Sequence, residues 1–593
     1  MRCGLFAALA LGVHALIAWV FTPGVFTGGL TEPDGFMRLV RVQRLWDTRA
    51  WFDSTVPRSN APFGDVLHWT RPFDVWLLAG AAPLSVVTSF RGALHGWAVA
   101  STPVLLVLTA FLAMWAVRPL VPSKARTLVM VALLVQPGVM SYALPGRADH
   151  HMAVLLVFVW SLGAVLRLLT DPGARRAGTA GLALAVGLWL TTEFLVVWGA
   201  ALVGVTVAWI VEGGDAARRA RRMMGWLAAA TLACVLVERG PDLAAVEYDR
   251  ISLAHAALAG LGFATWAAVA AWGGGAGATA DALRRTVSVV VAGAASLLVL
   301  RLVFPGFFHG PWADLDPEAR SFWFASITEL QPVLPTGAGL GTFVAYLGPA
   351  MLCVPFVAWR LVRERGTAAW TGWAFVATLL GLYTLLSVTS IRFTPFAGAV
   401  FALVIVAMVD AVRTAASTLA PVRAAAARVG ATVLLLGGFL VAGGLATPVG
   451  ELGPVASPAR CRLDRLADAL PPPEAGRPLI IVAHQDFGPE LLYWTPHAVV
   501  ATPYHRNVQA VRDVHRILGS ADEDESHVLL DRRQADLVLL CPAARGGYFG
   551  RRDVSGMPTL YARLFDGAGP GWLRPLPLAA PGAEGFLLFE MIR

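Results

Sequence analysis

"PGRADHHM", residues 145–152, stands between two apolar runs, 127–144 and 151–168, each close to the length that crosses a bilayer. An Asp with two His at such a boundary is costly unless a cation or a partner satisfies it. Reading outward from these eight residues, two things have to be found: the membrane helices that flank them, and the groups that would make the charge useful.

The composition supports the membrane. Of 593 residues, 56% are hydrophobic and 15% are charged, against about 25% charged in an ordinary soluble domain; mean hydropathy is +0.63. Apolar segments predict a polytopic α-helical membrane protein with about 13 spans, near 5–22, 99–117, 127–144, 151–168, 178–195, 196–212, 223–238, 251–272, 286–304, 341–359, 369–388, 393–411 and 430–447. The first run follows Met1-Arg2 without a clear A-x-A cleavage site and reads as an uncleaved helix. The pair at 178–212 reads as two spans or as one long helix. Segment 74–90 is apolar but short, and reads as an interfacial or re-entrant helix.

Orientation follows from arginine. With the N-terminus inside, the inside loops hold Arg118, Lys124 and Arg126; Arg167, Arg175 and Arg176; Arg218, Arg219, Arg221 and Arg222; Arg284 and Arg285; Arg360, Arg363 and Arg365; Arg413, Arg423 and Arg428. The short outside loops hold few, as the positive-inside rule requires. The net charge of +8 is spread over these clusters. No basic stripe interleaves with aromatics, so the lipid bilayer is the expected partner and nucleic acid is not. Domain 1–447 would then carry two large outside loops, about 23–98 and 305–340.

Residues 448–593 open with a Gly/Pro-rich linker and continue with "RPLIIVAH", "HAVVATPY" and "ADLVLLCP" as strands, with "NVQAVRDVHRILGS" as a helix between. A small extracytoplasmic α/β domain is expected. Cys461 and Cys541 lie in it and either pair or remain buried thiols. The plan suits a bacterial inner (cytoplasmic) membrane, with this domain periplasmic.

Three acidic features fall on the outside face. Asp34 and Arg38 sit one helical turn apart in "EPDGFMRLVRVQRL"; Asp149 and His151 sit in "GRADHHM"; Glu329 sits in "SITELQP". Each alone reads as a cap or a boundary contact. Together, Asp34, Asp149, His151 and Glu329 make an oxygen-rich set for Mg²⁺ or Mn²⁺, with the His favouring Mn²⁺. A divalent cation beside a membrane suits a lipid phosphate as leaving group. His150 is left out, because in an extended segment it points away from His151. His68 and Arg71 in "LHWTRPFD" line a donor pocket or form a turn. His497, Tyr504, His505, Arg506 and Asn507 close over a substrate or form ordinary strand-loop-helix structure.

"PDGFMRLVRVQRL" resembles the first-loop motif of the oligosaccharyltransferase catalytic subunit, where Asp-Gly-aromatic follows the first helix. "GRADHHM" is similar to that family's G-x-x-D-x-[DE], with His151 in place of the second acid, and "SITELQP" to its [ST]-[IV]-x-E. "IRFTPFAGAV" resembles its R-F segment and matches Arg392. The resemblance implies a GT-C glycosyltransferase with a polyprenyl-linked glycan donor. By resemblance, Asp34 and Asp149 bind metal, His151 is a further ligand, and Glu329 completes the site or engages the acceptor. Arg392 would hold the donor phosphate, as a guanidinium fork suits; Arg38 and Arg147 are further candidates for that work.

The chain departs from the family at W-W-D-Y-G, which reads the protein acceptor. Here "HQDFG", residues 484–488, keeps Asp486, a substrate-binding candidate, and Gly488; both Trp are gone. The acceptor is left as protein or glycan. His151 is neutral where the family has an acid, so it either ligates metal or contacts sugar or phosphate. Two other classes compete. A transporter or flippase for a lipid-linked or polar substrate would use intramembrane acids such as Glu193. A non-catalytic glycan-binding or assembly protein would tolerate loss of the Trp pair.

Overall fold

The computed structural model describes residues 2–593 apart from 123–124, 172–173, 273–279, 311, 313–315, 334, 448–461, 474–475, 542–547, 579–582 and 584. In chain order, α1 (Arg2–Phe21) leads to the loop helices α2 (Pro33–Thr48) and α3 (Arg71–Leu84), then to α4 (Phe90–Ala116), α5 (Leu128–Leu134), α6 (Pro137–Tyr142), α7 (His151–Thr170), α8 (Ala174–Leu190), α9 (Leu195–Glu212), α10 (Asp215–Arg239), α11 (Leu253–Trp272) and α12 (Ala280–Val303). After α13 (Pro317–Phe322) come α14 (Pro335–Leu347), α15 (Ala350–Arg363), α16 (Ala368–Thr389), α17 (Thr394–Ala415) and α18 (Pro421–Ala446).

Among the described residues, ten helices are long and apolar enough to cross a membrane. The protein is a multi-pass membrane protein. The other three expected spans are helical too, but shorter or broken. Ala8–Val20 and Arg176–Leu190 are the apolar parts of α1 and α8. Span 127–144 is divided into α5 and α6 because Gln136 precedes a proline: its backbone is extended (φ −86°, ψ 111°), and Pro137 opens the next helix. The 178–212 segment is two helices separated by the turn Thr192–Phe194. α3, with 14 residues, is too short to span; it packs on α4, where the Trp97 indole donates to the Trp76 carbonyl at 3.2 Å.

Burial sorts the bundle. The most apolar window is 83% buried in α7 and 78% in Ile391–Thr418, so these two form its centre. In α12 and α18 it is 6%, so these lie at the periphery. α14 approaches α18 closely at small residues: a Cβ on Gly341 would lie 2.6 Å from the Gly443 carbonyl.

The C-terminal part is a five-stranded sheet. β3 (Ile480–Val482) lies between β4 (Ala498–Val499) and β5 (Leu537–Leu540), parallel to both. β5, β7 (Leu587–Met591) and β6 (Leu573–Leu576) continue it antiparallel. The first three strands are those expected from sequence; the last two were not foreseen. Cys541, at the end of β5, is disulfide-bonded; Cys461 lies outside the described residues.

The sheet does not stand alone. β1 (Thr55–Val56) and β2 (Asp65–Val66) form a hairpin in the first loop. Next to it, the Val499 N–H donates to the Arg58 carbonyl at 2.8 Å and the Ala61 N–H to the Val499 carbonyl at 3.0 Å. Arg58 also donates to the carbonyls of Leu492, Thr495 and His497 at 2.7–2.9 Å. Met37, Leu67 and Trp69 share one buried core with Ile481, Val499 and Leu539. From the second loop, Glu318 pairs with Arg516 on the helix Val508–Gly519. Both loops therefore hold the C-terminal part over one end of the bundle.

Candidate active site

Each acidic feature is brought to the site by backbone stitching. The Thr31 N–H donates to the Gly146 carbonyl at 3.0 Å and the Thr31 hydroxyl to the Pro145 carbonyl at 2.7 Å. This joins the segment before α2 to the segment before α7. Gly146 has φ +79°, and a Cβ there would meet Val25 at 2.6 Å, so the turn requires glycine. Asp34 lies in the first turn of α2, where the helix dipole favours an anion. On the far side, the Ser390 hydroxyl donates to the Glu329 carbonyl at 2.8 Å and the Ile391 N–H to the Gln331 carbonyl at 2.9 Å. Glu329 is thereby set beside Arg392.

The charges form one network. His151 Nε2 lies 3.1 Å from Asp149 and 3.4 Å from Glu329. Arg147 bridges Glu329 and Glu32. His150 Nδ1 lies 2.6 Å from Asp149. The exclusion of His150 is corrected here: α7 begins at His151, so the two rings follow a helical turn and stack with centroids 4.6 Å apart. Asp149, His150 and His151 offer ligand atoms all within 4.8 Å of one another.

Electrostatics mark this cluster as short of positive charge. Burial raises the Asp34 carboxyl well above its usual range, and Asp149, Glu32 and Glu329 raise it further against Arg38. Glu32 is pushed up to about 7, chiefly by burial and against Arg147. Burial would raise Asp149 as well, but His150, His151 and Arg38 hold it well below the usual carboxylate range. A set of converging acids with two imidazoles fits a divalent cation: Asp149, His150 and His151 could hold one, and Asp34 and Glu329 flank them.

A cavity of about 540 Å³ opens beside the cluster. Asp34, His150, His151, Glu329 and Arg392 line it, with His68, Tyr504 and His505. Arg38, Arg147, Asp149 and Asp486 are not among its lining residues. Arg38 is buried between Asp74, at 3.2 Å, and Asp149, at 3.6 Å, with its guanidinium 3.9 Å above the Trp69 ring. Arg71, a donor-pocket candidate, is likewise buried on Asp74 at 3.1 Å. Asp486 lies in the turn Gln485–Phe487, its carboxylate 4.0 Å from His484.

Sequence reading missed several lining residues. Glu193, the intramembrane acid of the transporter alternative, lies in the turn between α8 and α9, lines the cavity, and pairs with Arg392 at 2.8 Å. Asp249 lines the cavity from the connection between α10 and α11. The arginine pattern already placed that connection on the same face, which was the available signal. The aromatic wall, with Trp69, Phe307, Trp312, Trp323 and Phe393, carried no sequence signal.

Comparison with known proteins adds the fold. The archaeal oligosaccharyltransferase AglB from Archaeoglobus fulgidus, in complex with an inhibitory peptide and a dolichol-phosphate, superposes with TM-score 0.65 at 14% identity, over 90% of this chain and 69% of that one. The chain has the oligosaccharyltransferase fold. The same archaeal enzyme in complex with Zn and sulfate gives TM-score 0.65 at 14% identity, over 97% and 78% of the two chains. Tethered with an acceptor peptide containing the NVT sequon, it gives 0.64 at 15%, over 91% and 68%. No family model matches the sequence, and no curated protein matches it. The fold thus persists where sequence likeness has almost vanished.

Proposed function

We propose that the protein is a membrane glycosyltransferase of the GT-C type, moving a sugar or oligosaccharide from a polyprenyl phosphate or diphosphate to a protein or glycan acceptor. One observation carries this reading: Asp34, His151, Glu329 and Arg392, from four separate connections, line a single cavity at one end of an oligosaccharyltransferase-like bundle. The dolichol-phosphate bound by the archaeal enzyme supports a polyprenyl-linked donor. We assign the cavity face to the periplasm of a bacterial inner membrane, with the N-terminus inside and the division between domains at 447/448, because the arginine-rich loops fall at the opposite end.

In this reading Arg392 leaves Glu193 and forks onto the donor phosphate. Asp34, Asp149, His151 and Glu329, joined by His150, would hold Mn²⁺ or Mg²⁺. The bound ion would neutralise charge building on the leaving phosphate. Arg147 keeps Glu329 at the site, and the buried Arg38 keeps Asp149 there. Asp34 and Glu329 also orient the acceptor. The transporter alternative loses the acid it cited, since Glu193 sits at a helix break and lines the cavity with Arg392.

The test uses purified full-length protein with a panel of polyprenyl-diphosphate glycans, with and without Mn²⁺. Cleavage of the sugar–phosphate bond, stimulated by metal and lost in Asp149→Ala and Glu329→Ala, is the expected result. No cleavage by wild type with any donor, or cleavage unchanged in variants that fold like wild type, would overturn the reading.

A further inference from the structure

The cavity has a second polar wall opposite in kind to the acidic cluster. His505 Nε2 lies 2.8 Å from Asp249 Oδ2. Asp249 is itself fixed by Arg506, which donates from Nη2 to Oδ1 at 2.6 Å and from Nε to Oδ2 at 2.7 Å. The His68 ring stands 4.3 Å from His505, and the buried His68 Nδ1 has no protein partner. His68, Asp249 and His505 all line the cavity shared with Asp34 and Glu329. A carboxylate accepts from Nε2–H, so the tautomer it selects leaves the His505 Nδ1 lone pair free. That is a base with its orienting acid, the arrangement that activates an O–H nucleophile.

The acidic cluster is poorly suited to that task. Glu329 is committed to Arg147 and His151. Asp34 is assigned to the metal in the reading above. The neighbouring "HQDFG" also lacks the aromatic pair that the resemblance associates with sequon reading. A carboxamide nitrogen delocalises its lone pair into the carbonyl and holds its protons too tightly for an imidazole to remove. An alcohol oxygen needs only this base in the transition state.

Resting on the glycosyltransferase reading above, we propose that His505, oriented by Asp249, is the general base for a hydroxyl-bearing acceptor. The enzyme therefore glycosylates an alcohol oxygen of a glycan or a Ser/Thr side chain, not an asparagine amide. His505 Nδ1 takes the acceptor proton as the acceptor oxygen bonds to the anomeric carbon. The anomeric C–O bond to phosphate breaks, its electron pair leaving on the phosphate oxygen. The imidazolium, facing Asp249, then returns the proton to solvent. Asp249 is a positioning residue, and His68 is left to hydrogen-bond the sugar or the acceptor.

The experiment compares full-length wild type with His505→Gln, His505→Gly and Asp249→Asn, using a polyprenyl-diphosphate glycan and two acceptors, an oligosaccharide and an Asn-Val-Thr peptide whose Thr is O-methylated. Transfer to the oligosaccharide is expected, falling about 10²–10⁴-fold in kcat in His505→Gln with donor KM unchanged. Added imidazole should restore part of the activity of His505→Gly, and Asp249→Asn should lower kcat with donor KM unchanged. Transfer only to the peptide amide, or a His505→Gln enzyme as fast as wild type, would overturn this inference and leave the glycosyltransferase standing. Wild type that cleaves no donor would overturn both. If His505→Gln fails to fold, absence of imidazole rescue in folded His505→Gly is the overturning result.

Discussion

Arg392 Nε stands 2.8 Å from the Glu193 carboxylate, across two connections 199 residues apart in sequence. If Arg392 serves the donor phosphate as proposed, Glu193 holds it until a stronger anion competes for it. Arg392→Lys keeps the charge but loses the fork. Donor kcat/KM should fall about 10–100-fold, the equivalent of ~1.5–3 kcal/mol for a hydrogen bond to a charged group. Glu193→Gln should lower donor KM by releasing the guanidinium. Steady-state kinetics checks both, and an unaltered Arg392→Lys enzyme would remove this residue from the phosphate site.

Asp74 is fully buried and receives Arg38, Arg41 and Arg71 at 3.2, 2.8 and 3.1 Å. Asp74→Asn takes the paired carboxylate from buried Arg41 and Arg71 and leaves Arg38 with Asp149 alone. Removing one partner of a buried pair costs about 3–5 kcal/mol. A large drop in the detergent melting temperature is expected, measured by thermal-shift size-exclusion. An unchanged melt would mean the three arginines find other partners.

Arg58 ties the first loop to the C-terminal sheet through three carbonyls. Arg58→Ala should loosen that docking by about 1–3 kcal/mol, the cost of leaving buried acceptors unmet. Limited proteolysis should then release a C-terminal fragment sooner than from wild type, with the membrane bundle intact. Identical cleavage rates would show that the shared apolar core suffices.

Burial, with Asp464 adding to it, pushes the Glu490 carboxyl up to about 8. The folded state therefore keeps a proton that the unfolded chain releases above its ordinary value. This group stabilises the fold fully below about pH 4.5, and the contribution declines as pH rises towards 8, by about 1.4 kcal/mol per pH unit. Glu490→Gln should flatten the fall in stability across that window. A parallel pH profile in the variant would mean that Glu490 ionises normally.

The membrane class, the positions of the spans and the face that carries Asp34, Asp149, Glu329 and Arg392 were determined by the sequence itself. Apolar length and arginine placement act locally: each span must be long enough for the bilayer, and each basic loop avoids crossing it. The helix "NVQAVRDVHRILGS" and strands β3, β4 and β5 were legible for the same reason, their patterns being short-range. Strands β6 and β7 were not: β7 pairs with β5 across residues far apart in the chain, and β6 joins the sheet only through β7. Tertiary structure alone decided that Glu193 meets Arg392, that His150 stacks on His151, and that Asp249 orients His505. Side-chain partners from separate loops are chosen by how the bundle and the C-terminal sheet close over one cavity, and no local pattern encodes that closure.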